Sequence, residues 1–323
     1  MQRSTRTCAF AACVIAALAV PGVASAADTV IVADPAADQV AALDGVVVWT
    51  SDTSGGQQVL MHRTPAGLVA RVEGAPRAAR YSSIDLGHDS KSRLVLTYQR
   101  CSKTSCTAFR DNLGGRRTSY KHLKLRRCSL TTAPAVWRTR LAYGLLCRKP
   151  NKQVDSKRSG LYVKSASSSP KRLRLPEDAV KFGITDITAV DLRATRVAAI
   201  AADVYEYAFS QTVRNSGLRS LRVASSEGDS NEHATGVSLG TNNVMWTLVD
   251  AEHSGDPNEA VIFRITRHCY ERERLINPAG PNEQDGFLAT DLAVDRTTLY
   301  LVVPGTGIVQ HTRGAGVGQC ALP

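Results

Sequence analysis

Short apolar runs bounded by Gly, Asp, Asn and Ser fill this sequence, and few stretches carry a helical period. Six runs look like counterparts: VVVWTS from Val46, LVLTYQ from Leu94, LAYGLLC from Leu141, VAAIAADV from Val197, VMWTLVD from Val244 and LYLVVP from Leu299. They begin 48, 47, 56, 47 and 55 residues apart. The runs read as strands, and a period near fifty marks a repeat architecture. Together these observations predict an all-β chain, a β-propeller of six blades with four antiparallel strands each. One four-stranded sheet cannot bury both of its faces, but radially stacked sheets cover each other. Five or seven blades, or two stacked β-domains, fit the same pattern.

The order along the chain begins with a leader. Arg3 and Arg6 precede an apolar run from Cys8 to Val20, then Pro21, Gly22 and Ala24-Ser25-Ala26. A charged start, a short apolar core and an A-x-A site make residues 1–26 a signal peptide, and the run is short for a bilayer of ~30 Å. The expected mature chain, residues 27–323, is a single propeller domain with no membrane-spanning run, secreted or held in the cell envelope. TVIVAD from Thr29 is placed to pair into the last blade and close the ring, which would protect sheet edges.

Unit two shows the repeat best. SSIDLG and RLVLTYQ flank the turn HDSKS, and CTAFRD and RTSYKHL flank NLGG. This stretch, residues 83–124, resembles the repeat of TolB-type and WD-repeat-like secreted β-propellers. His88-Asp89-Ser90-Lys91 stands where the family has its first turn, and Asp111 and Gly114-Gly115 stand at the second. Units one, three and six match loosely, and units four and five depart most. The resemblance implies a bacterial envelope propeller that works as a scaffold or binding protein.

Six cysteines follow the leader: Cys101, Cys106, Cys128, Cys147, Cys269 and Cys320. An even count in an exported chain favours disulfides. Cys101 and Cys106 flank SKTS between two strands, where hairpin partners lie within bridging distance. Cys128 and Cys147 flank a segment that folds back about Trp137 and Arg138. Cys269 and Cys320 are one period apart and would link adjacent blades or anchor the C-terminal tail. A zinc site from Cys101, Cys106, His122 and Cys128 would strand Cys147 and lacks two close ligand pairs. No metal or cofactor is expected.

Charge is the other unusual feature. The full chain has a formal charge of +11. Between Arg100 and Arg174 there are 20 lysines and arginines against Asp111 and Asp155 alone. The rest of the mature chain is net acidic. Basic residues can simply keep exposed strands soluble, or they can form an anion-binding face. Candidates for such a face are Arg116, Arg117, Lys121, Lys124, Arg126, Arg127, Arg148, Lys149, Lys152, Lys157 and Arg158.

Motifs for catalysis are missing from the linear sequence. None of the seven histidines falls in an H-E-x-x-H or G-x-S-x-G context, and no phosphate-binding glycine pattern occurs. SSPK, with Ser168 and Lys171, reads as a turn. Asp250, Glu252, Asp256 and Glu259 read as one solvated acidic loop rather than a calcium site. Trp49 and Trp246 are expected in the core, and Trp137 is expected to be exposed. The leading expectation is a non-enzymatic propeller binding an anionic envelope polymer or an envelope protein through blades two and three. The alternative is a glycan-active hydrolase or lyase with its site in the central channel.

Overall fold

The computed structural model describes residues 28–103, 105–113, 117–120, 123, 125–225, 230–253, 259–266, 269–275, 289–312 and 317–319. The expected leader, residues 1–26, therefore lies outside the described residues. Strand β1 (Thr29–Ala33) comes first. A first group follows as β2 (Ala37–Leu43), β3 (Val46–Asp52), β4 (Gln58–Arg63) and β5 (Val69–Arg71). The second is β6 (Arg80–Asp89), β7 (Leu94–Cys101), β8 (Cys106–Asp111) and β9 (Thr118–Ser119). The third is β10 (Cys128–Leu130), β11 (Ala135–Arg138), β12 (Arg140–Cys147), β13 (Gly160–Ser165) and β14 (Lys171–Arg172). After helix α1 (Glu177–Lys181) come β15 (Asp186–Arg193), β16 (Arg196–Ala202), β17 (Tyr205–Thr212) and β18 (Arg219–Ser225). The fifth group is β19 (Ser230–Leu239), β20 (Met245–His253), β21 (Glu259–Ile265) and β22 (Tyr270–Leu275). The last is β23 (Asp291–Asp295), β24 (Thr298–Val303) and β25 (Gly307–His311), followed by β26 (Val317–Gln319).

These strands make four small sheets of four or five strands and one curled sheet of nine, in a propeller-like arrangement. The six apolar runs of the sequence are β3, β7, β12, β16, β20 and β24, each the second strand of its hairpin. Their neighbours cover them on both faces, which is why they read as continuous apolar stretches. Strand β16 is buried from Arg196 to Ala201. Strand β1 pairs antiparallel with β25, so the start of the described chain completes the last sheet.

The core lies between the sheets and runs around the ring. Leu60 and Val48 of the first group pack with Leu96 and Tyr98 of the second. Val95 and Tyr120 meet Tyr143 and Leu145, and Leu161 meets Val197 and Phe209. Ile200 meets Met245, Ile262 meets Leu301, and Trp49 of the first group meets Tyr300 and Val302 of the last. Burying each such side chain contributes ~1.5–3 kcal/mol, and the clusters link each group to the next around the cycle.

Separate sheets were expected for groups two and three, and here the structure differs. Strands β6 and β11 pair in parallel, Trp137 with His88 and Arg138 with Asp89, which merges the two groups. The cause is Gly87. A Cβ there would lie 1.8 Å from the Val136 carbonyl oxygen, so only glycine lets these backbones approach. Trp137 consequently stands half-buried, edge-on to the His88 ring with centroids 5.0 Å apart, rather than exposed. The expected acidic loop is also partly strand: Asp250 lies in β20 and Glu259 opens β21, while residues 254–258 are outside the described set. Helix α1 was not expected. It buries Ala179 and carries Glu177 and Asp178 in its first turn and Lys181 in its last, matching the helix dipole.

Candidate functional site: the channel mouth and its basic rim

The first strands of four groups, β2, β6, β15 and β19, carry an irregularity. The register shifts between Ala37 and Val40 in β2, Ser82 and Ile84 in β6, Ile187 and Ala189 in β15, and Ala234 and Gly236 in β19. A bulge adds an unpaired residue and re-aims its side chain. Asp38, Ser83, Thr188 and Thr235 are the residues so released, and all line one cavity of about 330 Å³. Thr131, Thr290 and Asp291 complete its polar wall, and Arg80 stands beside them. The cavity is thus the mouth of a central channel, at the end where the first strands begin.

Asp291 is the most perturbed group at this mouth. Burial pushes its carboxyl up to about 8, although the N–H groups of Val40 and Leu292 donate to it at 2.9 Å and favour the charged form. The neighbouring Asp38 charge raises it further. Gly236 makes the space, since a Cβ there would sit 2.3 Å from Asp291 Oδ1.

Deeper in, Arg193 crosses the axis from β15 and donates to the carbonyls of Ala42 at 3.0 Å and Val294 at 2.9 Å. Its Nε is 3.8 Å from Asp191 Oδ2, which also accepts the Leu239 N–H at 2.6 Å. Burial raises the carboxyls of Asp85 and Asp191, the Asp191 charge raises Asp85 further, and Arg193 opposes the shift of both. No cluster of three His, Cys, Asp or Glu fit to hold a metal occurs among the described residues.

The cysteine chemistry is structural where it is described. Cys101–Cys106 closes the β7–β8 hairpin, and Cys128–Cys147 joins the first pair of the β10–β12 ladder. Cys320 is outside the described residues. Strand β26 pairs with β22 through Tyr270 and Gln319.

The predicted basic residues divide into three sets. Arg116, Lys121 and Lys124 lie outside the described residues. Arg117 turns inward: it donates to the Gly74 carbonyl, and its Nε is 3.5 Å from Asp111 Oδ2. Arg126, Arg127, Arg148, Lys149, Lys152, Lys157 and Arg158 are all exposed. They sit on the two connections that enter and leave the Cys128–Cys147 ladder. Arg158 Nη2 donates to the Arg126 carbonyl at 3.0 Å, the Arg148 N–H to the Arg127 carbonyl at 2.9 Å, and Arg148 Nη1 to the Lys152 carbonyl at 3.0 Å. These bonds to backbone hold the arginines together without neutralising them. Among the described residues none of the seven has an ion-pair partner. The end of β12 lies at the channel-mouth end, because β11 runs parallel to β6 and antiparallel to β12.

The bulge residues escaped the sequence reading, although a signal was there. Thr188-x-Val190-x-Leu192 and Thr235-x-Val237-x-Leu239 repeat a bulge threonine ahead of two alternating apolar residues.

No protein-family model matches the chain, and no curated protein matches it in sequence. Among solved structures, puromycin hydrolase is similar with a TM-score of 0.50 and 12% identity, over 84% of this chain and 51% of that one. The Aleuria aurantia lectin bound to alpha-methyl-L-fucoside gives 0.49 and 11%, over 87% and 93%. AofleA from Arthrobotrys oligospora gives 0.45 and 10%, over 91% of each chain. At such identity the likeness to puromycin hydrolase bears on the fold alone.

Proposed function

We propose that the protein is an exported six-bladed propeller that binds an anionic polymer of the cell envelope through the rim of Arg126, Arg127, Arg148, Lys149, Lys152, Lys157 and Arg158. The observation that carries this reading is the exposed, unneutralised state of these seven cations around one disulfide. A solubilising scatter of lysines would not need arginines fastened to neighbouring carbonyls. The N-terminal leader and the two disulfides favour an oxidising compartment outside the cytoplasm. The six hairpin groups and the cycle of inter-sheet cores support six blades, and the unit-two repeat supports a TolB-like ancestry.

The test is binding of heparin and of polyphosphate at increasing salt. Contacts of this kind are screened over a Debye length of ~10 Å at 0.1 M salt, so affinity falls steeply between low and moderate salt. The triple variant Arg148→Glu, Lys149→Glu, Arg158→Glu should bind at least tenfold more weakly, and exposed Arg214→Glu should bind as the native chain does. Salt-independent affinity would refute polymer binding, and salt-independent capture of a defined envelope protein would replace it.

A glycan hydrolase or lyase is the second reading, favoured by Asp38 and Asp291 sharing the channel mouth. A carboxyl poised near 8 has the protonation a general acid needs. Loss of a glycan-cleaving activity in Asp291→Asn, with rim variants unaffected, would move the function into the channel.

A further inference from the structure

The seam between groups two and three opens at the far end of the molecule from the channel mouth. A cavity of about 260 Å³ lies there, where the β6–β7, β11–β12 and β13–β14 turns converge. Three cations line it: Arg110 from β8, Arg138 from the β11–β12 turn and Lys164 from β13. Ser90, Thr139 and Ser165 add hydroxyls. None of these six belongs to the rim.

The charge balance of this cavity is one-sided. Asp89 accepts two bonds from Arg93, at 2.9 and 2.7 Å, and one from Arg110 Nη2 at 3.1 Å. One carboxylate therefore serves two guanidinium groups. It stays ionised: burial works against its charge, but the Arg93 side chain and the N–H groups of Arg93 and Lys91 bring its pKa down to about 2. Arg138 and Lys164 have no ion-pair partner among the described residues. The pocket thus keeps a surplus of positive charge beside a ring of hydroxyl donors. Arg110 is held in place by Asp89, and Arg138 is carried by a tight turn with φ 57°. Tyr120 forms part of the wall, and burial pushes its phenol up to about 12, so it remains an uncharged hydroxyl.

We propose that this seam pocket binds a tetrahedral oxyanion, a phosphate or sulfate group, between Arg110, Arg138 and Lys164. Guanidinium groups bond such oxygens in pairs, and lysine adds a point charge. The volume admits one such group with part of the molecule that carries it. The inference does not depend on the rim reading, because the two sets of cations share no residue and lie at opposite ends.

Calorimetric titration of the full mature chain with inorganic phosphate and, separately, inorganic sulfate tests it. Saturable one-to-one binding of either anion is expected, and their relative affinities assign the source. The double variant Arg138→Ala, Lys164→Ala should weaken binding at least tenfold, whereas Arg148→Glu, Lys149→Glu, Arg158→Glu should leave it within twofold. Lys164→Glu, at a half-buried position near the end of β13, should abolish it, and near-UV circular dichroism confirms that each variant is folded. No saturable binding to the native chain, or native affinity in the folded double variant, would overturn the proposal. Phosphate binding with no polyanion binding would retain the pocket and remove the rim.

Discussion

His311 Nδ1 lies 2.9 Å from Asp28 Oδ1, which ties β25 to the first described residue of the chain. The other ring nitrogen is 3.2 Å from Glu273 Oε1 on β22, so one imidazole joins β1, β25 and the neighbouring sheet. Burial pulls its pKa down, but the hydrogen bonds to Glu273 and Asp28 outweigh this and hold it above the usual value. A raised histidine stabilises fully below its unfolded value of ~6.5 and loses that contribution as pH rises through the folded value. His311→Gln should therefore melt well below the native chain at pH 5.5 and nearly with it at pH 9. Equal gaps at both pH values would show that the clip is not charged.

Gly87 predicts a strong local effect. The Val136 carbonyl lies where an alanine methyl would have to go, and backbone cannot swing aside as a flexible side chain would. Gly87→Ala should cost about 3 kcal/mol in urea unfolding. Gly55→Ala, whose Cβ would meet nothing nearer than Thr53 Oγ1 at 3.9 Å, should change stability by less than about 1 kcal/mol. A mild Gly87→Ala would mean that the β6–β11 seam can open without disturbing its sheets.

Disulfides differ by the loop they close. Cys101–Cys106 spans a separation of 5 residues and Cys128–Cys147 one of 19. Loop-closure entropy then gives about 2 kcal/mol for the first and about 3 kcal/mol for the second. Paired Cys→Ser variants should rank in that order on unfolding. Non-reducing peptide mapping should also recover Cys269 joined to Cys320, the pair that the even cysteine count leaves once the two hairpin bridges are made. A map without that peptide would leave the tail held by the ladder alone.

What could be read in advance follows physical range. The strands were legible because each second strand is buried on both faces and writes an apolar run into the chain. The hairpin disulfides were legible because their partners are local: register between adjacent strands sets both. The parallel seam was not, since it depends on one missing Cβ at Gly87 meeting a carbonyl about fifty residues away. The same holds for the channel mouth and the seam pocket. Their residues are ordinary Thr, Ser and Arg until a bulge or turn brings them together. Arg117 illustrates the opposite error: it counts as a basic residue in the sequence, yet its side chain is engaged by Asp111 and Gly74.

Asp291 offers a test of the channel that needs no ligand. Its carboxyl is raised to about 8 by burial, while in the unfolded chain it titrates near 3.8. Between those values the unfolded chain is ionised and the folded chain is protonated, so folding takes up a proton. Stability must then fall as pH rises from ~4 to ~8 and level off above. Asp291→Asn removes this proton but keeps an acceptor for only one of the two N–H groups, a loss that does not vary with pH. The stability of the variant relative to the native chain should accordingly climb across pH 5 to 8 in urea titrations and then plateau. Comparing the two chains at each pH cancels the contributions of Asp85 and Asp191. A difference that stays flat across this range would place an ionised Asp291 in the channel and remove the acid that the hydrolase reading requires.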